Sequence, residues 1–199
     1  MISFIDIENT KPFKNFINIY HKAVAKKQKN IEALCLSSFN ASKKEISSRY
    51  VNLKYIKDNK FFFFSNYNSP KAIDFLSHDQ VAANLYWNSI NCQIRIKGTI
   101  KNASTEESDN HFKSRSIEKN ALAVSSNQSK PINSIEDVKL KYQDALNAIS
   151  KDVIRPEYWG GFFIEPYCFE FWKGNPNRLN ERHEYILLDN IWVHQILEP

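Results

Sequence analysis

The sequence predicts a mainly β protein with α-helices attached, built as an antiparallel barrel or sandwich. Three observations lead there. Runs with strand character outnumber runs with helical period, and neighbouring strand runs are joined by short turns rather than by helices. The third is composition: 199 residues, 14% aromatic with only 4 Gly, are enough for one domain with a real core.

Each element has its own signal. Phe13, Phe16, Ile17, Tyr20 and Ala23 recur at helical spacing, so residues 12–28 read as an amphipathic helix, the main part of an N-terminal region spanning 1–28. "IEALCLSSF" and "EISSRYVNLKYI" read as strands, and Asp58-Asn59 ahead of "KFFFFSN" is a hairpin signal. Four consecutive phenylalanines fit a strand buried on both faces. In "NSPKAIDFLSHD", Ser69 can cap a helix whose first turn holds Pro70 and Lys71.

"VAANLYW" and "NCQIRIKGTIKNA" make a second hairpin across a short Asn/Ser turn. "STEES" opens a pair of short helices over 104–124, with acids in the first turn. "SSNQSKPINS" is a polar loop, and 135–149 is a periodic helix. "YWGGFFIEPYCFEFW", "HEYILL" and "IWVHQIL" give three closing strands, with Asp189-Asn190 as the last turn. No internal repeat or linker divides the chain, so residues 1–199 are expected to be one domain.

Composition also narrows the function classes. A net charge of +5 asks for an anionic partner, but the lysines and arginines are scattered, without the aromatic-interleaved stripe of a nucleic-acid platform, and no nucleic acid is expected. Cys35, Cys92 and Cys168 are widely spaced, which fits neither a disulfide framework nor a metal pair and points to a reducing cytoplasm. The N-terminus lacks a signal-peptide layout and no apolar run reaches membrane-spanning length, so no membrane role is expected.

The five histidines are dispersed, no metal spacing appears, and there is no GxSxG elbow. Chemistry would then come from a bound cofactor. The P-loop and dinucleotide glycine fingerprints are missing too, so side chains would have to hold a phosphate. Arg49 and Lys54 lie five positions apart in one expected strand and face opposite sides if it is regular. Ser65 ends the next strand, and Lys71 sits in a first helical turn, where backbone N–H groups favour an anion.

"SRYVNLK" (48–54), "FFSNYNSPKA" (63–72), "CQIRIKG" (92–98), "HFKSRS" (111–116), "NQS" (127–129), "YWGGF" (158–162) and "EFWKG....RLNER" (170–182) occur in this order. In that order they resemble the pyridoxamine 5'-phosphate oxidases, FMN-dependent split-barrel enzymes, over most of the chain from about Phe13 to Pro199. The resemblance implies an antiparallel FMN-binding split barrel and a homodimer whose FMN sites lie at the subunit interface. Strands over 160–199 would carry the dimer and active-site motif.

It further implies that Arg49, Ser65 and Lys71 hold the FMN phosphate. Lys54, Phe64, Gln93, Gln128, Ser129, Trp172 and Arg182 would complete the flavin site. Lys54, His111, Arg115, Lys119, Arg178 and Asn180 would bind a phosphorylated small-molecule substrate, with Arg178 and Asn180 at the reacting centre and O2 as the acceptor. The implied reaction converts pyridoxamine or pyridoxine 5'-phosphate to pyridoxal 5'-phosphate. A sister FMN oxidase with another substrate, such as a phenazine-pathway intermediate, and a non-catalytic flavin-binding protein are the alternatives.

Four positions depart from the family pattern. Asn180 stands for a histidine, His111 for a tyrosine, Lys119 for a serine, and Pro70 for one of two adjacent basic residues. An amide in place of the histidine still hydrogen bonds but does not titrate near neutral pH.

Overall fold

Ten strands form one sheet in the order β1-β4-β5-β8-β7-β6-β2-β3, with β9 added to β8 and β10 to β9. The computed structural model describes residues 1–150 and 153–199. The strands are β1 (Ser3–Ile5), β2 (Ala33–Asn40), β3 (Glu45–Asn52), β4 (Tyr55–Lys57), β5 (Lys60–Asn66), β6 (Gln80–Trp87), β7 (Cys92–Asn102), β8 (Trp159–Lys173), β9 (Glu181–Leu188) and β10 (Ile191–Ile196). The helices are α1 (Lys11–Ala25), α2 (Pro70–Ser77), α3 (Thr105–Ser114), α4 (Ile117–Ser125) and α5 (Ile135–Ala148). All pairings are antiparallel except β1 with β4.

The long strand β8 organises the sheet. One of its edges runs along β7, while the other takes β5 from Trp159 to Ile164 and then β9 from Cys168 to Lys173. The change of partner coincides with a bulge, where Lys97 pairs with Cys168 but Gly98 pairs with Pro166. Proline has no N–H to give a ladder and suits such a break. Gly98 is required there because a Cβ would lie 2.5 Å from the Glu165 carbonyl oxygen.

Alternate residues of β2, β5, β6, β7 and β8 (Leu34, Leu36, Phe61, Phe63, Leu85, Ile94, Ile96, Ile164, Phe169) share one buried cluster, so the sheet closes round them as a barrel. The apolar face of α1 plugs it. Phe16 meets Phe61 and Trp87 edge to face, and Phe13 meets Phe169 the same way. Phe16 is wholly buried, and truncating such a ring to alanine costs about 3–5 kcal/mol.

The mainly β expectation therefore holds, with three local corrections. The run over 45–56 is two strands, because the Leu53 N–H donates to the Glu32 carbonyl and the Lys54 N–H to the Phe62 carbonyl, bending the chain between β3 and β4. Lys54 thus lies outside the strand of Arg49, and the opposite-face argument for that pair fails. In the phenylalanine run, Phe61, Phe62 and Phe63 are buried while Phe64 is partly exposed. Ser69 occupies the N-cap of α2, yet its hydroxyl makes no cap; it donates to the Asn66 carbonyl and accepts from Lys71 Nζ.

Candidate functional site

The end of β5 and the start of α2 build a cationic subsite. Lys71 is buried, 7% exposed, and its ammonium donates to Ser65 Oγ at 2.9 Å and Ser69 Oγ at 3.1 Å. Burial, with Arg49 adding repulsion, pushes its pKa down to about 8. Arg49 projects from β3 and donates through Nη1 to Ser38 Oγ (2.7 Å) and the Leu36 carbonyl (3.2 Å), while Nη2 faces Asp74 Oδ2 at 3.4 Å. Gln128 reaches in from the loop after α4, its Oε1 accepting from Ser65 Oγ and the Asn66 N–H, both at 3.3 Å.

A cavity of 560 Å³ extends from there, lined by Lys54, Phe64, Ser65, Lys71, His111, Arg115, Lys119 and Gln128 among others. Its far end gathers Lys54, Arg115 and Lys119. Burial lowers the Lys54 pKa, Lys119 and Arg115 repel it further, and Glu32 partly opposes them. Burial also lowers Arg115, whose guanidinium lies 4.3 Å over the Trp159 ring and donates to the Lys119 carbonyl at 2.7 Å. Its buried Nη1 has no hydrogen-bond partner among the described residues. No Asp or Glu is among the lining residues. Converging cations in a lining without a carboxylate, one with an orphaned donor, are what an anion would satisfy.

A glycine pair brings the helical wall of this cavity close. At Gly161 a Cβ would fall 2.7 Å from Ala103 Cβ and 2.8 Å from Phe64 Cε1, and the Gly161 N–H donates to Ser108 Oγ of α3 at 3.1 Å. With α3 seated on β8 in this way, His111 lies over Phe64. Burial first, then Lys54, Arg115 and Lys119, push the His111 pKa down to about 4.

Three further expected flavin residues lie elsewhere, on a common row. Gln93 pairs in register with Trp172, and Trp172 with Arg182, across β7, β8 and β9. Register partners project to one side, here the side opposite the core residues Ile94 and Phe171. Gln93 and Arg182 line a separate groove of 410 Å³, in which the buried Glu170 accepts from Arg182 Nε at 2.8 Å and Arg95 Nη1 at 2.7 Å. In one chain, therefore, the expected site is divided between two surfaces.

The remaining expected residues join neither group. Ser129, with φ 65°, lines a 210 Å³ crevice between α4 and α5. Arg178 is exposed, with φ 65°, in the loop between β8 and β9. Asn180 shapes that loop, its Oδ1 accepting from the Asn175 N–H at 3.0 Å.

Sequence reasoning passed over Trp159, which lies in the quoted "YWGGF" block, and Asp74. Asp74 follows Lys71 by three residues, and that helical spacing puts both on one side of α2.

Among the described residues no group of three or more metal-ligating side chains forms, and no helix is long and apolar enough to cross a membrane.

Comparison with known proteins agrees with this arrangement. Residues 21–146 match the family model described as pyridoxamine 5'-phosphate oxidase, and residues 159–199 match that of the pyridoxine 5'-phosphate oxidase C-terminal dimerisation region. The chain is 39% identical over 157 residues to a pyridoxine/pyridoxamine 5'-phosphate oxidase of Legionella pneumophila, covering 76% of this chain and 71% of that one. It is 32% identical over 193 residues to pyridoxine/pyridoxamine 5'-phosphate oxidase 1 of Hydrogenovibrio crunogenus, covering 96% and 89%. Among solved structures, PhzG from Burkholderia lata, in complex with tetrahydrophenazine-1-carboxylic acid, superposes with a TM-score of 0.89 at 25% identity, over 95% of this chain and 93% of that one. An FMN-binding protein of Nostoc punctiforme, 15% identical, shares the fold with a TM-score of 0.79, over 96% of this chain and 100% of that one. Split barrel, cationic cavity and matched sequence together make this chain a member of the pyridoxamine 5'-phosphate oxidase family of FMN-dependent oxidoreductases.

Proposed function

We propose that the protein oxidises pyridoxamine or pyridoxine 5'-phosphate to pyridoxal 5'-phosphate in the cytoplasm. FMN held in the cavity would supply the hydride acceptor, O2 would take the electrons onward as hydrogen peroxide, and with the amine substrate water would release the nitrogen as ammonia. The observation that carries this reading is the cavity with two cationic ends. Lys71 and Ser65, with Arg49 behind, suit the cofactor phosphate at one end, and Lys54, Arg115 and Lys119 suit a substrate phosphate at the other.

The chain's own residues then bind and orient. Arg49, Ser65 and Lys71 hold the FMN phosphate with charge-assisted hydrogen bonds. The Arg115 Nη1 that lacks a partner donates to the substrate phosphate, and Lys54 and Lys119 neutralise it. His111, its pKa pushed down to about 4, offers a neutral ring wall near neutral pH rather than a charge. Phe64 and Trp159 exclude water on that side.

Two copies complete the site in this proposal. The row of Gln93, Trp172 and Arg182, together with Ser129 and the Arg178–Asn180 loop of a second copy, would close over the cavity of the first, giving a homodimer. The C-terminal dimerisation region over 159–199 supports that assembly.

The test is turnover in air of pyridoxine 5'-phosphate against pyridoxine, followed by the appearance of the aldehyde product. Turnover of the phosphorylated compound alone is expected, and turnover of neither overturns the assignment. A sister oxidase acting on a carboxylated ring is the second reading, favoured by the likeness to PhzG and by Asn180, His111 and Lys119 on the substrate side. Oxidation of a tetrahydrophenazine carboxylate in place of the vitamin phosphate would select it.

A further inference from the structure

Asp74 is a buried carboxylate, 5% exposed, on the helix that carries Lys71. Its Oδ1 accepts from Asn40 Nδ2 at 2.9 Å, and its Oδ2 accepts from Ser38 Oγ at 2.7 Å and faces Arg49 Nη2 at 3.4 Å. Ser38 passes the restraint on, because the same hydroxyl accepts from Arg49 Nη1 at 2.7 Å. The other Nη1 hydrogen goes to the Leu36 carbonyl at 3.2 Å.

A guanidinium has five N–H groups. Both on Nη1 are used, and one on Nη2 turns toward Asp74. Among the described residues the Nε–H and the second Nη2–H have no partner, and the Nε/Nη2 edge of a guanidinium is one that matches two phosphate oxygens. Asp74 and Lys71 lie three residues apart on one side of α2, so the guanidinium that Asp74 holds sits beside the Lys71 subsite, close enough to repel its ammonium.

We propose that Asp74 is a positioning residue for the cofactor phosphate, holding Arg49 directly and through Ser38 so that its Nε/Nη2 edge faces the phosphate beside Lys71. This rests on the reading that FMN binds there. A carboxylate near an anion subsite also repels the anion, so the proposal requires orientation to outweigh repulsion. That gives it a sign that can be checked.

The experiment titrates FMN, and separately riboflavin, which lacks the phosphate, into the apoprotein and follows quenching of flavin fluorescence. Wild type is expected to prefer FMN; equal affinity for both would overturn the phosphate reading itself, and the proposal with it, before any variant is measured. Given that preference, Asp74→Asn should weaken FMN about tenfold, the loss of one charge-assisted contact, and leave riboflavin unchanged. In an Arg49→Lys background the same change should add less than about twofold, because the residue it acts through is already gone.

Unchanged or tighter FMN binding in Asp74→Asn overturns the proposal, as does an equal loss for both flavins or full additivity with Arg49→Lys. Ser38→Ala cuts only the relay and must shift FMN binding in the same direction. It carries the test if Asp74→Asn does not fold, and an unaltered FMN affinity in Ser38→Ala then counts against the proposal.

Discussion

His111 lies flat on Phe64, with ring centroids 3.7 Å apart and planes 14° apart, and nearly parallel to Trp159 at 6.2 Å. The imidazole is thereby held in an apolar stack beside three cations, which pushes its pKa from 6.5 down to about 4. Between those values the unfolded chain takes up a proton that the folded chain refuses, so this group's contribution to stability is complete above pH 6.5 and is lost as pH falls toward 4. Thermal melting of the apoprotein at pH 7 and pH 5 should show a smaller drop for His111→Phe than for wild type. An equal drop would mean that the acid sensitivity comes from other groups.

Lys71 sets the opposite limb. Its pKa, lowered to about 8, is restored when an anion takes a place beside it, so binding above that pH requires proton uptake. FMN affinity should therefore fall as pH rises past about 8, by up to about tenfold per unit. Lys71→Arg, which stays charged, should flatten the profile. Calorimetric titration in buffers of different ionisation enthalpy would detect the proton directly.

Gly161→Ala forces a methyl against Ala103 and Phe64, and should cost about 1–3 kcal/mol in denaturant unfolding as an overpacked site. Because Phe64 lines the cavity, FMN affinity should fall as well. Gly98→Ala is the control: its clash with the Glu165 carbonyl lies at the bulge, so stability should fall while the affinity of the folded fraction is kept.

Arg178→Ala separates catalysis from a bare flavin carrier. The side chain is exposed in its loop, so melting temperature and FMN affinity should stay at wild-type values. If Arg178 meets the substrate, kcat/KM should fall about a hundredfold. Unaltered turnover would remove it from the site.

Local chemistry made much of this molecule legible. Asp58-Asn59 and Asp189-Asn190 turn their hairpins with φ of 49° and 64°, and 46° and 63°, the left-handed pairs that the residue types suggest. Ser104 and Ser134 accept from the N–H groups of Glu107 and Asp137, as their cap positions require. What escaped was set by distant partners. The bend before Lys54 depends on carbonyls of Glu32 and Phe62, and β1 is three residues whose pairing comes from β4.

The site divides the same way. Lys54, Phe64, Ser65, Lys71, His111, Arg115, Lys119 and Gln128, far apart in the sequence, line one cavity. The row of Gln93, Trp172 and Arg182 depends on register across three strands, which no short stretch of sequence reveals. Asp74 escaped because a buried carboxylate takes its meaning from Ser38 and Arg49, 36 and 25 residues away.

The most direct test of the account is the visible spectrum of the FMN-loaded protein under anaerobic conditions, before and after addition of pyridoxine 5'-phosphate. The expected result is that the oxidised-flavin bands bleach with one pyridoxal 5'-phosphate formed per flavin, and return on admission of air. A yellow protein whose bands persist with the phosphate bound would contradict it.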